Sequence, residues 1–163
     1  MKWFYSDGGR SEARIRSRAG GDCVTRAIAI ATQKPYREVY EALNAAMCAR
    51  AIIAGYDGSG AADQYRRKAR KGFNVARGCP DEVFRPYLEG FGWFYTPAKN
   101  RRVPLLQYDL PPGRVIVDVT EHLVAVIDGV IYDTGEFART RCVHGYFTKH
   151  TLGQGFRLVP SGD

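Results

Sequence analysis

Apolar positions recur at helical spacing along the first half of the chain and at alternate positions along the second half. After Asp22, a good N-cap residue, Val24, Ala27, Ile28 and Ala31 fall at i, i+3, i+4 and i+7 and predict a helix. Pro35 suits the first turn of a second helix, whose stripe is Val39, Tyr40, Leu43, Ala46 and Met47, with Cys48 beside it as core. "AGYDGSGAAD" breaks the pattern, and "QYRRKARKG" predicts a short basic helix ended by Gly72. A further helix starts at Pro80, carries Val83, Phe84, Tyr87 and Leu88 on one face, and stops near Gly90, with Pro86 as an interruption.

Residues 103–160 read as strands. "LPPGRVIVDV" is a turn followed by a β-branched strand, and "RCVHGYF" and "GFRLVP" predict two more. "HLVAVIDGVIYDT" places two apolar runs around Asp128-Gly129, a strong signal for a two-residue hairpin. Trp3, Trp93, Phe94 and Tyr95 read as core or cleft lining. Helices first and strands second predict an α+β fold, N-terminal helices packed on a C-terminal antiparallel sheet. With 163 residues, no internal repeat and no linker, a single domain over 1–163 is expected.

The hairpin serves as a ruler. If Asp128 and Gly129 form the turn, Ala125 faces Tyr132 and Val124 faces Asp133. His122 then shares a face with Val124 and Asp133 and is a diagonal neighbour of that carboxylate. A carboxylate beside an imidazole fixes its tautomer and stabilises its protonated form. Asp118 and Glu121 are close in sequence, and strand parity makes Asp118 a rival orienter if the turn is not two residues long.

Cys23 directly follows Asp22 at a predicted helix start. There a thiol feels the positive end of the helix dipole and unpaired N–H groups, which favour the thiolate. Gly20 and Gly21 let the backbone bend sharply before it. The Cys23 backbone N–H is itself a candidate oxyanion donor. A helix-start cysteine, a strand-start histidine and an aspartate across a hairpin are the parts of a nucleophile, a base and an orienter.

The order of these residues, carried by "GDCVTRAIAIAT", "HLVAVIDGVIYDT" and "RCVHGYF", resembles the papain-like cysteine peptidase superfamily. It is similar to small papain-like proteins of phages and bacteria and to the double-glycine leader peptidases. The resemblance spans about Gly20 to Phe147 and does not draw on the middle segment. It implies a papain-like fold with Cys23 as nucleophile, His122 as general base and Asp133 as orienting acid. The superfamily usually places a glutamine about six residues before the cysteine as an oxyanion donor. Here that position is Ser17 and no glutamine lies upstream, so Ser17 and Arg18 are the further oxyanion candidates.

The expected activity is hydrolysis of a peptide or isopeptide bond. Acyl or glutamyl transfer on the same triad is one alternative. A non-catalytic basic binding module for nucleic acid or an acidic protein is the other. Charge bears on partners: 24 Lys and Arg against 17 Asp and Glu give a net charge of +7, which favours an acidic partner or surface. Basic runs lie at Arg14–Arg18, at Lys99–Arg102, and at Arg66, Arg67, Lys68, Arg70 and Lys71, and read first as solvated faces. Aromatic interleaving is slight, so nucleic acid is not the favoured partner. No stretch has the length of a membrane span and the N-terminus lacks a signal-peptide core, so a cytoplasmic protein is expected. In that compartment four cysteines stay reduced. Cys79, Cys142, His144 and His150 lack the paired spacing of a zinc site, and neither metal nor cofactor is expected.

Overall fold

The computed structural model describes residues 1–16, 21–56 and 74–150. Three α-helices are present among them: α1 (Cys23–Thr32), α2 (Tyr36–Tyr56) and α3 (Asp81–Gly90). Six strands form one sheet: β1 (Lys2–Tyr5), β2 (Trp93–Pro97), β3 (Arg114–Val119), β4 (His122–Ile127), β5 (Val130–Asp133) and β6 (Val143–Lys149). The architecture is α+β. The predicted basic helix with Arg66, Arg67, Lys68, Arg70 and Lys71, the "GFRLVP" strand, and Ser17 and Arg18 lie outside the described residues.

The strand order is β1-β5-β4-β3-β6-β2. Neighbours are antiparallel except β1, which runs parallel to β5. This corrects the expected purely antiparallel C-terminal sheet: both edge strands come from outside its predicted range, and β1 makes the sheet mixed. Neither edge strand announces itself by alternation, since Phe4 and Tyr5 of β1 and Phe94 of β2 are exposed aromatics.

The β4–β5 register follows the ruler, with Ile127 opposite Val130 and Ala125 opposite Tyr132. Asp128 and Gly129 both take positive φ, 47° and 76°, as a type I′ turn requires. The parity drawn for Asp118 does not hold. Thr120 and Glu121 form another two-residue turn, so His122 pairs with Val119 while Asp118 pairs with Leu123. The alternation resets across that turn, and Asp118 sits on the sheet face opposite His122.

The sheet is covered on both faces. On one, α1, α2 and α3 bury Ile28, Val39, Leu43, Met47 and Leu88 against Ile116, Ala125 and Phe147. On the other, Val115, Val117, Val124, Val126 and Ile131 pack with Leu105 and Ala138 from two short 3-10 turns. The helical stripes are therefore those the spacing predicts, except that Cys48 is only half-buried and outside both core clusters, and α3 runs through Pro86 to the expected stop at Gly90. Phe147 lies at the centre of the helical side, edge-on to Phe84 at 6.0 Å and tilted against Tyr95 at 4.9 Å. Phe147→Ala should destabilise the protein by about 3–5 kcal/mol, read as a lower midpoint in urea with an unchanged slope.

Candidate active site

The three residues of the proposed triad come to one end of the β4–β5 hairpin. Cys23 opens α1, His122 opens β4 and Asp133 closes β5. His122 Nε2 lies 2.6 Å from Asp133 Oδ2, with both side chains 3% exposed. That contact leaves Nδ1 as the ring nitrogen not held by Asp133, and the His122 side chain is among the groups that hold the Cys23 thiol pKa down. The Leu123 backbone acts on the thiol pKa in the same direction. The Phe137 ring closes over the imidazole edge-on at 4.8 Å.

Each group's acidity follows from these contacts. Burial works to raise the Cys23 thiol pKa, but the hydrogen bonds from His122 and Leu123 and the charges of His122 and Arg26 outweigh it. The thiol is held below its ordinary value. Burial works to lower the His122 pKa, and the hydrogen bonds with Asp133 and Cys23 raise it on balance. Burial likewise works to raise Asp133. Its bond to His122, the Thr134 N–H and the Arg26 guanidinium hold it below the usual carboxylate range. The shifts of the thiol and the imidazole run towards a thiolate–imidazolium pair.

Beneath the triad lies a charged chain that the sequence reading missed. Arg26, one turn into α1 and 1% exposed, donates Nη2 to Asp133 Oδ1 at 2.9 Å and Nη1 to Asp22 Oδ1. Asp22 Oδ2 accepts from the Tyr36 hydroxyl at 3.0 Å and from Arg10 Nη1 at 3.1 Å. Two carboxylates thus face two guanidiniums, which makes the burial tolerable. Asp22 occupies the N-cap position of α1 but makes no side-chain cap hydrogen bond, because its oxygens are committed to Arg26, Tyr36 and Arg10. The available signal was Arg26 itself, the one charged residue in "CVTRAIAIAT". Gly21 has a packing role as well as a bending one: a Cβ there would lie 2.7 Å from the Ala76 carbonyl oxygen.

A groove of about 270 Å³ opens beside the pair, with Cys23, His122, Cys79 and His144 among its lining residues. Asp118 lines it too, but its Oδ2 accepts from the Tyr95 hydroxyl at 3.1 Å, so it is not the partner of His122. His144 Nε2 lies 3.2 Å from Thr120 Oγ1. Among the described residues, no three His, Cys, Asp or Glu side chains converge as metal ligands would. No described helix is long and apolar enough to cross a membrane. Comparison of the chain with family models, with curated proteins and with solved structures returns no match.

Removing the guanidinium takes the shared cation from two buried carboxylates and leaves Asp22 to Arg10 and Tyr36 and Asp133 to His122 and the Thr134 N–H. Arg26→Ala should cost about 3–5 kcal/mol of stability. Tyr36→Phe, which removes one donor from Asp22, should cost about 1–2 kcal/mol. Equilibrium urea unfolding of the two variants measures both, and equal small losses would contradict the ion chain described above.

Proposed function

We propose that this protein is a thiol hydrolase acting on a peptide or isopeptide bond through Cys23, His122 and Asp133, in the papain-like arrangement that its sequence resembles. The observation that carries the reading is the 2.6 Å contact of His122 with Asp133 beside a helix-start thiol whose pKa His122 depresses. The thiolate of Cys23 attacks the substrate carbonyl, and the Cys23 backbone N–H stabilises the oxyanion that forms. The imidazolium of His122 gives its Nδ1 proton to the leaving amine as the carbon–nitrogen bond breaks, leaving a thioester on Cys23. His122 then takes a proton from water, the hydroxide attacks the thioester, and the acid product leaves as the thiol is restored. Asp133 holds the ring and stabilises its charged form without taking the proton. Arg26 fixes Asp133 and keeps it ionised.

The test is the pH profile of thiol alkylation. A thiol with depressed pKa is ionised above that value, so iodoacetamide should modify Cys23 well below the ordinary thiol pKa of about 8.5 and ahead of Cys48, Cys79 and Cys142. His122→Ala removes the cation that stabilises the thiolate and should move the profile to higher pH. Asp133→Asn should lower the imidazole pKa and shorten the alkaline end of the ion-pair window, since the raised value depends on that carboxylate. Cys23 labelling no faster than the other cysteines, with His122→Ala without effect, would remove the nucleophile. An amine acceptor that outcompetes water on the same acyl-enzyme would turn the reaction from hydrolysis to transfer.

A further inference from the structure

We propose that the groove beside Cys23 and His122 accepts a cationic side chain of the substrate, lysine or arginine, and that Asp118 is the residue that selects it. The inference rests on the nucleophile reading above, because only an acyl group held at Cys23 brings a neighbouring side chain into this groove. The groove has two kinds of wall. Val24, Phe84 and Leu123 supply apolar surface, and Asp81, Asp118 and Glu121 supply carboxylates, with no Lys or Arg among the described lining residues. A long aliphatic stem ending in a charge matches that sequence of surfaces, because the stem packs on the apolar wall while the head reaches the acid.

Asp118 is built into place. Tyr95 lies over Gly145 and donates its hydroxyl to Asp118; a Cβ at residue 145 would come within 2.3 Å of the Tyr95 ring and hydroxyl. The same stretch of β6 bulges at His144, which also lines the groove. Among the described residues the guanidinium paired with Asp118 is that of Arg85, stacked 4.2 Å over Tyr95. Its Nη2 is 2.7 Å from Asp81 and 4.0 Å from Asp118, so it neutralises Asp81 first. Burial leaves the Asp118 carboxyl above its ordinary pKa despite the pull of Tyr95, His144 and Arg85. A half-desolvated carboxylate whose ion pair is long and shared with Asp81 gains from an incoming ammonium or guanidinium. Glu121, at the rim, adds to the same field. The negative sign is local, since the chain as a whole carries +7.

Peptidyl chloromethyl ketones test this with the intact protein, because displacement of chloride by the Cys23 sulfur reports both the thiol and the groove. Three probes differ only in the side chain beside the ketone: lysine, norleucine or glutamate. Iodoacetamide, which has no such side chain, reports the thiol alone. The lysine probe should label Cys23 at least about fivefold faster than the norleucine probe, with the glutamate probe slowest. Added salt should shrink that ratio. In Asp118→Asn the lysine-to-norleucine ratio should fall towards one, and in Asp118→Lys the order of lysine and glutamate should reverse. The ratio is taken within each variant, so a general change in thiol reactivity cancels. If Asp118→Lys fails to fold, the wild-type ratio and its salt dependence still decide. Fast iodoacetamide labelling with equal rates for the three probes would overturn the cationic preference and leave the nucleophile standing. Slow labelling by all four reagents would overturn both.

Discussion

A guanidinium held out of water between two carboxylates is the constraint around which this site is arranged. Arg26 joins the first turn of α1 to the last residue of β5, two elements that have no sequence proximity. An unpaired charge at 1% exposure would be very costly, so the helix and the hairpin must meet in one geometry for the pairing to be complete. That geometry is also the one that brings the thiol at the helix start to the imidazole at the strand start. Apolar packing of α1 on Leu123 and Ala125 supplies the attraction, but apolar contacts tolerate sliding. The ion chain from Arg10 and Tyr36 through Asp22 and Arg26 to Asp133 is directional and removes that freedom.

Two scales of electrostatics coexist in the molecule with opposite signs. The whole chain is basic, which governs what it meets at long range in dilute salt. The groove beside Cys23 and His122 has Asp81, Asp118 and Glu121 in its wall, the acids on which the proposed cationic preference rests. Net charge therefore says little about the group that a buried site recognises. An anionic surface could concentrate the protein without being its substrate, while the local field acts only after contact.

What could be read from the chain and what could not divide along a physical line. The Asp128-Gly129 turn is specified by two adjacent residues, and a two-residue turn fixes every pair above it, so His122 and Asp133 were placed by counting. The stripes of α1 and α2 were legible for the same reason: a period of 3.6 is a local property. Asp118 was misplaced because its face depends on the Thr120-Glu121 turn, which lacks the glycine that marks the other hairpin. β1 and β2 escaped because edge strands with exposed aromatics show no alternation. The role of Asp22 was mistaken for a cap because a cap is a local preference, whereas its actual partners lie 4, 12 and 14 residues away and one of them leads on to β5. No periodicity encodes such a pairing, and only the tertiary fold reveals which side chain wins the competition for its oxygens.

The parallel pairing of β1 with β5 sets an order of assembly. Tyr5 sits opposite Asp133, and the Ser6 N–H donates to the Asp133 carbonyl oxygen at 3.0 Å. The strand made first must therefore wait for the strand made more than a hundred residues later, and closing so long a loop is entropically slow. Until it closes, Asp133 lacks its backbone pairing with β1. A chain emerging from the ribosome carries Cys23 early, but Asp133, the partner of His122, is not anchored until the hairpin is complete and β1 has returned to it. The β4 groups that hold the Cys23 pKa down, His122 and Leu123, therefore reach the thiol only after the chain has been made through that hairpin.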